Sequence, residues 1–115
     1  MTDEAPSGDD LVGIMAALSN PVRIRVLARL AGGRDYVSRL AREIGISRPL
    51  LHMHLQRLEA AGLIAGTLEV SEEGKAMKFY EVTDFDLRLT PEAITEAART
   101  LTLPEPLQPD AKEEP

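Results

Sequence analysis

Ala41–Ile64, AREIGISRPLLHMHLQRLEAAGLI, is the stretch on which the fold turns. Ala41 and Ile44 put apolar side chains on one face of a first helix, and Gly45 supplies the tight turn that joins it to a second. Ser47 is placed to accept a hydrogen bond from an unpaired amide of that second helix, and Pro49 falls in the first turn, where a missing N–H costs nothing. Leu51, Leu55, Leu58 and Gly62 then follow at spacings of four, three and four, so one side of the helix is apolar and packs inward. Two helices, a glycine turn and a capped second helix are a helix–turn–helix.

At about 100° per residue, Arg48, Pro49, His52, Met53 and Gln56 lie away from the leucine stripe or flank its outer edge. Arg suits guanine, Gln suits adenine, His donates or accepts, and Pro and Met carbons suit a thymine methyl group. With Ser47 at the head and Arg57 one turn beyond His52–Met53, these residues are the candidate surface for base and phosphate contacts. The plainer alternative is the solvated face of an amphipathic helix.

After Gly62-Leu63-Ile64 come Leu68–Val70, a polar tip SEEGK over 71–75, and Met77–Val82 with the aromatic pair Phe79-Tyr80. Apolar and aromatic runs around a Gly-containing tip predict a β-hairpin. A hairpin placed directly after a reading helix is a wing, which sets cations beside the groove, and Lys75 and Lys78 are the candidates. Glu72 and Glu73 favour the alternative of a sheet edge guarded by charge.

The chain has 115 residues and a formal charge of −6, with a pI near 4.9. It has no cysteine, which excludes disulfides, thiolate catalysis and thiolate metal sites. The charge is unevenly spread. Asn20–Ala60 holds eight Arg against Asp35, Glu43 and Glu59, a balance of +5, while both flanks are acidic. A basic middle between acidic ends suits a nucleic-acid partner, although the acidic total predicts modest, salt-sensitive affinity. No phosphate-cradling glycine loop and no Ser, His and Asp cluster occurs, so no enzyme is expected. No apolar run has the length of a membrane span, and the N-terminus lacks the features of a signal peptide, which predicts a cytoplasmic protein.

The same periodicities organise the rest. A flexible acidic tail is expected over 1–9, one domain over 10–103 and a disordered Pro/Glu-rich tail over 104–115. A first helix, Asp10–Leu18, carries Leu11, Ile14, Met15 and Leu18 on one face, with Asp9 or Asp10 as its cap. Asn20-Pro21 stops it and opens a second, Pro21–Leu30, which Gly32-Gly33 ends. A third runs from Tyr36 or Val37 to Ile44, and the reading helix occupies Ser47–Ala61. Thr90-Pro91 starts a last helix reaching about Leu101, with Ile94, Ala97, Ala98 and Leu101 on its apolar side. The predicted class is mainly α with a small hairpin: five helices plus a two-stranded wing.

Ala17, Leu18, Pro21, Arg23, Val26, Leu27 and Leu30 form the pattern AL-x-x-P-x-R-x-x-V-L-x-x-L. Ser47, Leu51, His54, Leu55, Leu58 and Ala61–Ile64 form S-x-x-x-L-x-x-H-L-x-x-L-x-x-A-G-L-I. With the hairpin that follows, these resemble the ArsR/SmtB family of winged helix–turn–helix repressors over roughly Leu11–Leu103. The resemblance implies double-stranded DNA as ligand and a homodimer joined through the first and last helices, hence through Leu11, Ile14, Met15, Leu18, Ile94, Ala97, Ala98 and Leu101. Exposed apolar stripes seek such partners, and two-fold pairing implies an inverted-repeat operator.

The resemblance also implies release of DNA by a metal ion, but the Cys pairs of soft-ion sensors are missing and the last helix has no His. Oxygen and imidazole ligands alone would favour nickel, cobalt or zinc, with Glu92 and Glu96 as the one i, i+4 acidic pair on that helix. His52 and His54 lie about 200° apart and cannot chelate one ion together. His54 is expected to pack or hydrogen-bond at the helix edge. Two alternatives stand beside a metal-responsive regulator: a regulator that senses through a second protein, and a winged-helix protein-interaction module that touches no DNA.

Overall fold

The computed structural model describes residues 5–103. The C-terminal tail expected over 104–115 and the first four residues lie outside them. The elements run α1 (Gly8–Leu18), α2 (Pro21–Ala31), β1 (Asp35–Tyr36), α3 (Val37–Ile44), α4 (Arg48–Ala60), β2 (Ile64–Val70), β3 (Ala76–Val82) and α5 (Pro91–Ala98). Five helices and a wing agree with the reading of the chain. The sheet has three antiparallel strands in the order β1-β3-β2, one more than expected.

The start signals act as their chemistry requires. Asn20 Oδ1 accepts from the amides of Val22 at 2.8 Å and Arg23 at 3.2 Å, Ser47 Oγ from that of Leu50 at 3.3 Å, and Thr90 Oγ1 from that of Ala93 at 3.0 Å. Gly45 ends α3 at φ 88°, in the left-handed region, and its N–H donates to Ala41 O at 2.8 Å. A side chain there would be strained, so glycine is what allows the chain to turn sharply into α4.

Two boundaries differ from expectation. α1 begins at Gly8 and its cap is Ser7, which accepts from the Asp10 amide. Gly8 and Asp9 therefore belong to a helix, not to an N-terminal tail. Asp9 is drawn elsewhere, accepting from the Thr102 amide at 2.9 Å, and these hydrogen bonds hold its carboxyl below the usual range. α5 stops at Ala98, so Leu101 lies beyond its end.

The two shifts have one cause: the start of α1 and the end of α5 grip each other. The Gly8 amide donates to Thr100 Oγ1 at 2.7 Å. A Cβ on Gly8 would stand 2.2 Å from Ala97 O and 2.8 Å from Leu101 Cγ. Gly8→Ala should force α1 and α5 apart and cost about 1–3 kcal/mol, the usual range for overpacking. Chemical denaturation reads this, and an unchanged midpoint would show that the contact is loose.

The core lies beneath α4. Val26 and Leu30 from α2, Leu40 from α3, Leu51, Leu55 and Leu58 from α4, Leu63 from the turn after α4, and Ile64 and Tyr80 from the sheet form one buried cluster. The sheet is bound to the helices at its near end. Thr83 donates from its amide to Leu63 O at 3.0 Å and from its hydroxyl to Gly62 O at 2.8 Å. β1 adds to the other side of β3, pairing Asp35 with Tyr80 and Tyr36 with Phe79.

Candidate nucleic-acid interface

α4 has a buried and an open side. Leu51, His54, Leu55 and Leu58 are buried, whereas Arg48, Pro49, Leu50, His52, Met53, Gln56 and Arg57 are exposed. The outermost line of the helix, opposite the leucines, is Pro49, Met53, Gln56 and Ala60 at i, i+4, i+7 and i+11. Arg48 and His52 border that line on one side. Leu50 borders it on the other and was not among the expected contacts. Ser47 is occupied as the helix cap, with its residue still exposed. Arg57 is exposed on the same side as Leu50 and lines a shallow depression against α1 with Gly13, Ala16, Ala17, Ala60 and Ala61.

Both wing lysines are exposed. The Lys78 ammonium lies 5.4 Å from the centre of the Tyr80 ring, a cation–π position along the sheet. Lys75 is at the tip, where its backbone closes the turn against Ser71: Ser71 N donates to Lys75 O at 2.8 Å and Lys75 N to Ser71 Oγ at 3.1 Å. Glu72 and Glu73 are exposed beside it. Of the two wing lysines, only Lys75 is free of a ring contact.

The basic middle is partly a structural framework. Arg29 pairs with buried Asp35 at 2.5 Å and with Glu43. Arg39 Nε is 3.7 Å from Asp35 and 3.8 Å from Glu43. Arg34 holds Glu69 across the sheet and lies 4.4 Å over the Phe79 ring, which itself meets Tyr36 edge-on at 5.6 Å. The Arg29 and Arg34 partners keep Glu43 and Glu69 below the usual carboxylate range. Arg23 is committed as well. Four of the eight arginines thus build the fold; Arg25, Arg42, Arg48 and Arg57 have no ion pair among the described residues. Arg42, exposed on α3, is a cation of the helix–turn–helix that the sequence reading passed over.

Arg23 explains the buried histidine. Its Nε donates to Ala17 O at 2.6 Å, and Nη1 is 3.1 Å from His54 Nδ1. A guanidinium only donates, so Nδ1 must accept, and the ring is neutral with its proton on Nε2. Burial, followed by the Arg23 and Arg57 charges, holds the ring below the ordinary histidine range. The expected edge packing of His54 is thus an anchor from α4 through α2 to the end of α1.

A folded-state pKa below the unfolded one means that unfolding takes up a proton. This stability is complete above about pH 6.5 and is lost as pH falls through the lower folded value. Melting temperatures should therefore be flat above that pH and decline below it. In His54→Gln, whose amide oxygen can still accept from Arg23, this part of the decline should vanish. The lowered Asp9, Glu43 and Glu69 carboxyls lose their contribution only below about pH 4.5, in a separate window. Parallel curves for the two proteins between pH 6.5 and 5 would acquit His54.

The ligands that a metal ion of the kinds the resemblance implies would need are not gathered in one place within the described residues of one chain. There is no cysteine, and no group of three potential ligands converges among the described residues. Glu92 and Glu96 are exposed, with Glu96 3.8 Å from Arg99. No single helix among the described residues is long and apolar enough to cross a membrane.

A capped helix with a free outer face, set after a glycine turn and before a β-hairpin, defines a winged helix–turn–helix protein. A helix–turn–helix domain family matches residues 18–67. An uncharacterized HTH-type transcriptional regulator of Methanocaldococcus jannaschii is 35% identical over 85 residues, 74% of this chain and 88% of the relative. The HTH-type transcriptional regulator CmtR of Mycobacterium tuberculosis is 38% identical over 53 residues, 46% of this chain and 45% of CmtR. Among solved structures, an ArsR-like transcriptional regulator from Rhodococcus sp. RHA1 superposes with a TM-score of 0.56 at 26% identity, covering 80% of this chain and 76% of that one. A homodimeric winged helix–turn–helix DNA-binding domain from Mycobacterium bovis gives 0.59 at 23% identity, covering 71% and 75%. The chain belongs to the ArsR-like winged helix–turn–helix transcriptional regulators, a family of regulators and not of enzymes.

Proposed function

We propose that this regulator binds a specific inverted-repeat operator as a homodimer, with α4 of each protomer in the major groove. The observation that carries the reading is the outer face of α4: Arg48, Pro49, His52, Met53 and Gln56 are all exposed, and the one acidic residue of the helix, Glu59, stands in its last turn. Arg48 and Arg42 suit the backbone or a guanine at the groove edge, Gln56 and His52 suit base edges, and Lys75 suits a phosphate beside the wing.

Pairing through α1 and α5 is supported by apolar side chains that one chain leaves open: Met15 is 42% exposed, Ile94 54% and Val12, not anticipated, 57%. Ala98 is exposed with them. Ala97 is buried against its own chain, and Leu11, Ile14, Leu18 and Leu101 are half-buried, so these five support the surface from behind. The winged helix–turn–helix neighbour from M. bovis is itself homodimeric. A two-fold pair sets its reading helices about 34 Å apart, one turn of duplex.

Selection of bound sequences from random duplex DNA, with sedimentation of the free protein at micromolar concentration, tests both halves. Enriched inverted repeats and a dimer are expected. A glutamate-tipped wing suits a protein-docking module, and failure to enrich any sequence would favour that reading instead.

A further inference from the structure

The outer line of α4 is unusual for a surface helix in being carbon-rich. Leu50 is 40% exposed and Met53 54%, and Pro49 is exposed beside them. Leu50 and Pro49 precede Met53 by three and four positions, so the three form one continuous patch on the first two turns. Gln56 follows Met53 by three, at the patch's far edge. A helix face meant only for water carries Glu, Lys or Gln at such places.

The major groove offers one apolar mark, the C5-methyl group of thymine, and adenine is the base that an amide side chain grips with two hydrogen bonds. From Pro49 to Gln56 the helix rises about 10 Å, which matches about three base-pair steps of 3.4 Å. Arg48, the guanine-type reader, lies about 100° from Pro49 and about 140° from Met53, toward the buried side. The centre of the face is therefore built for A·T pairs and its border for G or phosphate.

Resting on the reading of α4 as a major-groove helix, we propose that Leu50, Pro49 and Met53 select thymine methyl groups, with Gln56 on a neighbouring adenine, so that the core of each half-site is A·T. Met53 and Leu50 are then specificity-determining residues of the operator contact.

Deoxyuridine pairs as thymine does and lacks only the methyl group, which makes it the direct probe. A duplex enriched from the random library is resynthesised with deoxyuridine in place of thymine at the half-site cores. The full chain should bind it about fourfold more weakly for each methyl group contacted, the worth of one buried carbon. Met53→Ala and Leu50→Ala, whose melting should be little altered because both side chains are exposed, should bind the two duplexes more nearly alike. Equal affinity of the unaltered protein for both duplexes, full discrimination retained by both variants, or enriched half-sites with G·C cores would overturn the inference while leaving operator binding intact. Enrichment of no sequence at all would overturn the operator reading together with it.

Discussion

Leu55→Ala should destabilise the protein by about 2–5 kcal/mol, the largest effect expected from a single substitution here. Leu55 is fully buried at the centre of the cluster that joins α2, α3, α4 and the sheet. Truncation removes its apolar area and leaves a cavity walled by other residues of that cluster, which a backbone held by both a cap and a hairpin can only partly refill. Domains of this size have about 5–15 kcal/mol in total, so the loss is a large fraction of the whole. Urea denaturation at one fixed protomer concentration reads it, because dimerisation makes stability depend on concentration. A loss below about 1 kcal/mol would mean that the helix packs less tightly than its burial shows.

Gln56→Ala, one residue along, should do the opposite. Its side chain is on the open face, so stability should stay within about 0.5 kcal/mol of the parent. Affinity for the enriched operator should drop by about 1–3 kcal/mol, roughly five- to 150-fold, and base preference at one position should relax. Affinity for unrelated duplex should hold, since no charge is removed. Fluorescence anisotropy with both duplexes separates these outcomes. An unchanged ratio of specific to non-specific affinity would place base reading elsewhere on the protein. Adjacent residues with opposite consequences are what a helix with one core face and one reading face must show.

The local part of this structure was legible in the chain. Gly45, Ser47, Pro49 and the leucine spacing define α3, its turn and α4 because each acts on backbone groups within a few positions of itself. Asn20-Pro21 and Thr90-Pro91 are legible for the same reason. What escaped the sequence depends on residues far apart along it. β1 is two residues long and exists through its pairing with Tyr80 and Phe79 and through Arg34 bound to Glu69, none of which has a periodic signature. The arginines read as a DNA-facing charge are divided between framework and surface by carboxylates up to 35 residues away. At the start of α1, two aspartates and a serine all qualify as caps. The choice fell to Ser7, while Asp9 is engaged with Thr102 at the far end of the chain.

The site was legible in outline for a related reason. A face is found by subtracting the buried stripe, which periodicity supplies, so Arg48, Pro49, His52, Met53 and Gln56 all emerge exposed. Its edges were not legible, because Arg57 and Leu50 flank the stripe at similar angles and only the neighbouring α1 distinguishes them. Both are exposed, and Arg57 borders α1.

Amide chemical-shift perturbation on adding an enriched operator duplex tests the central claim most directly, since it shows which surface meets DNA. The account predicts that the largest changes fall on Ser47–Gln56 with smaller ones near Arg42 and Lys75, and that a scrambled duplex moves the Met53–Gln56 amides far less. Changes confined to α1 and α5, or equal responses to the two duplexes along α4, would contradict it.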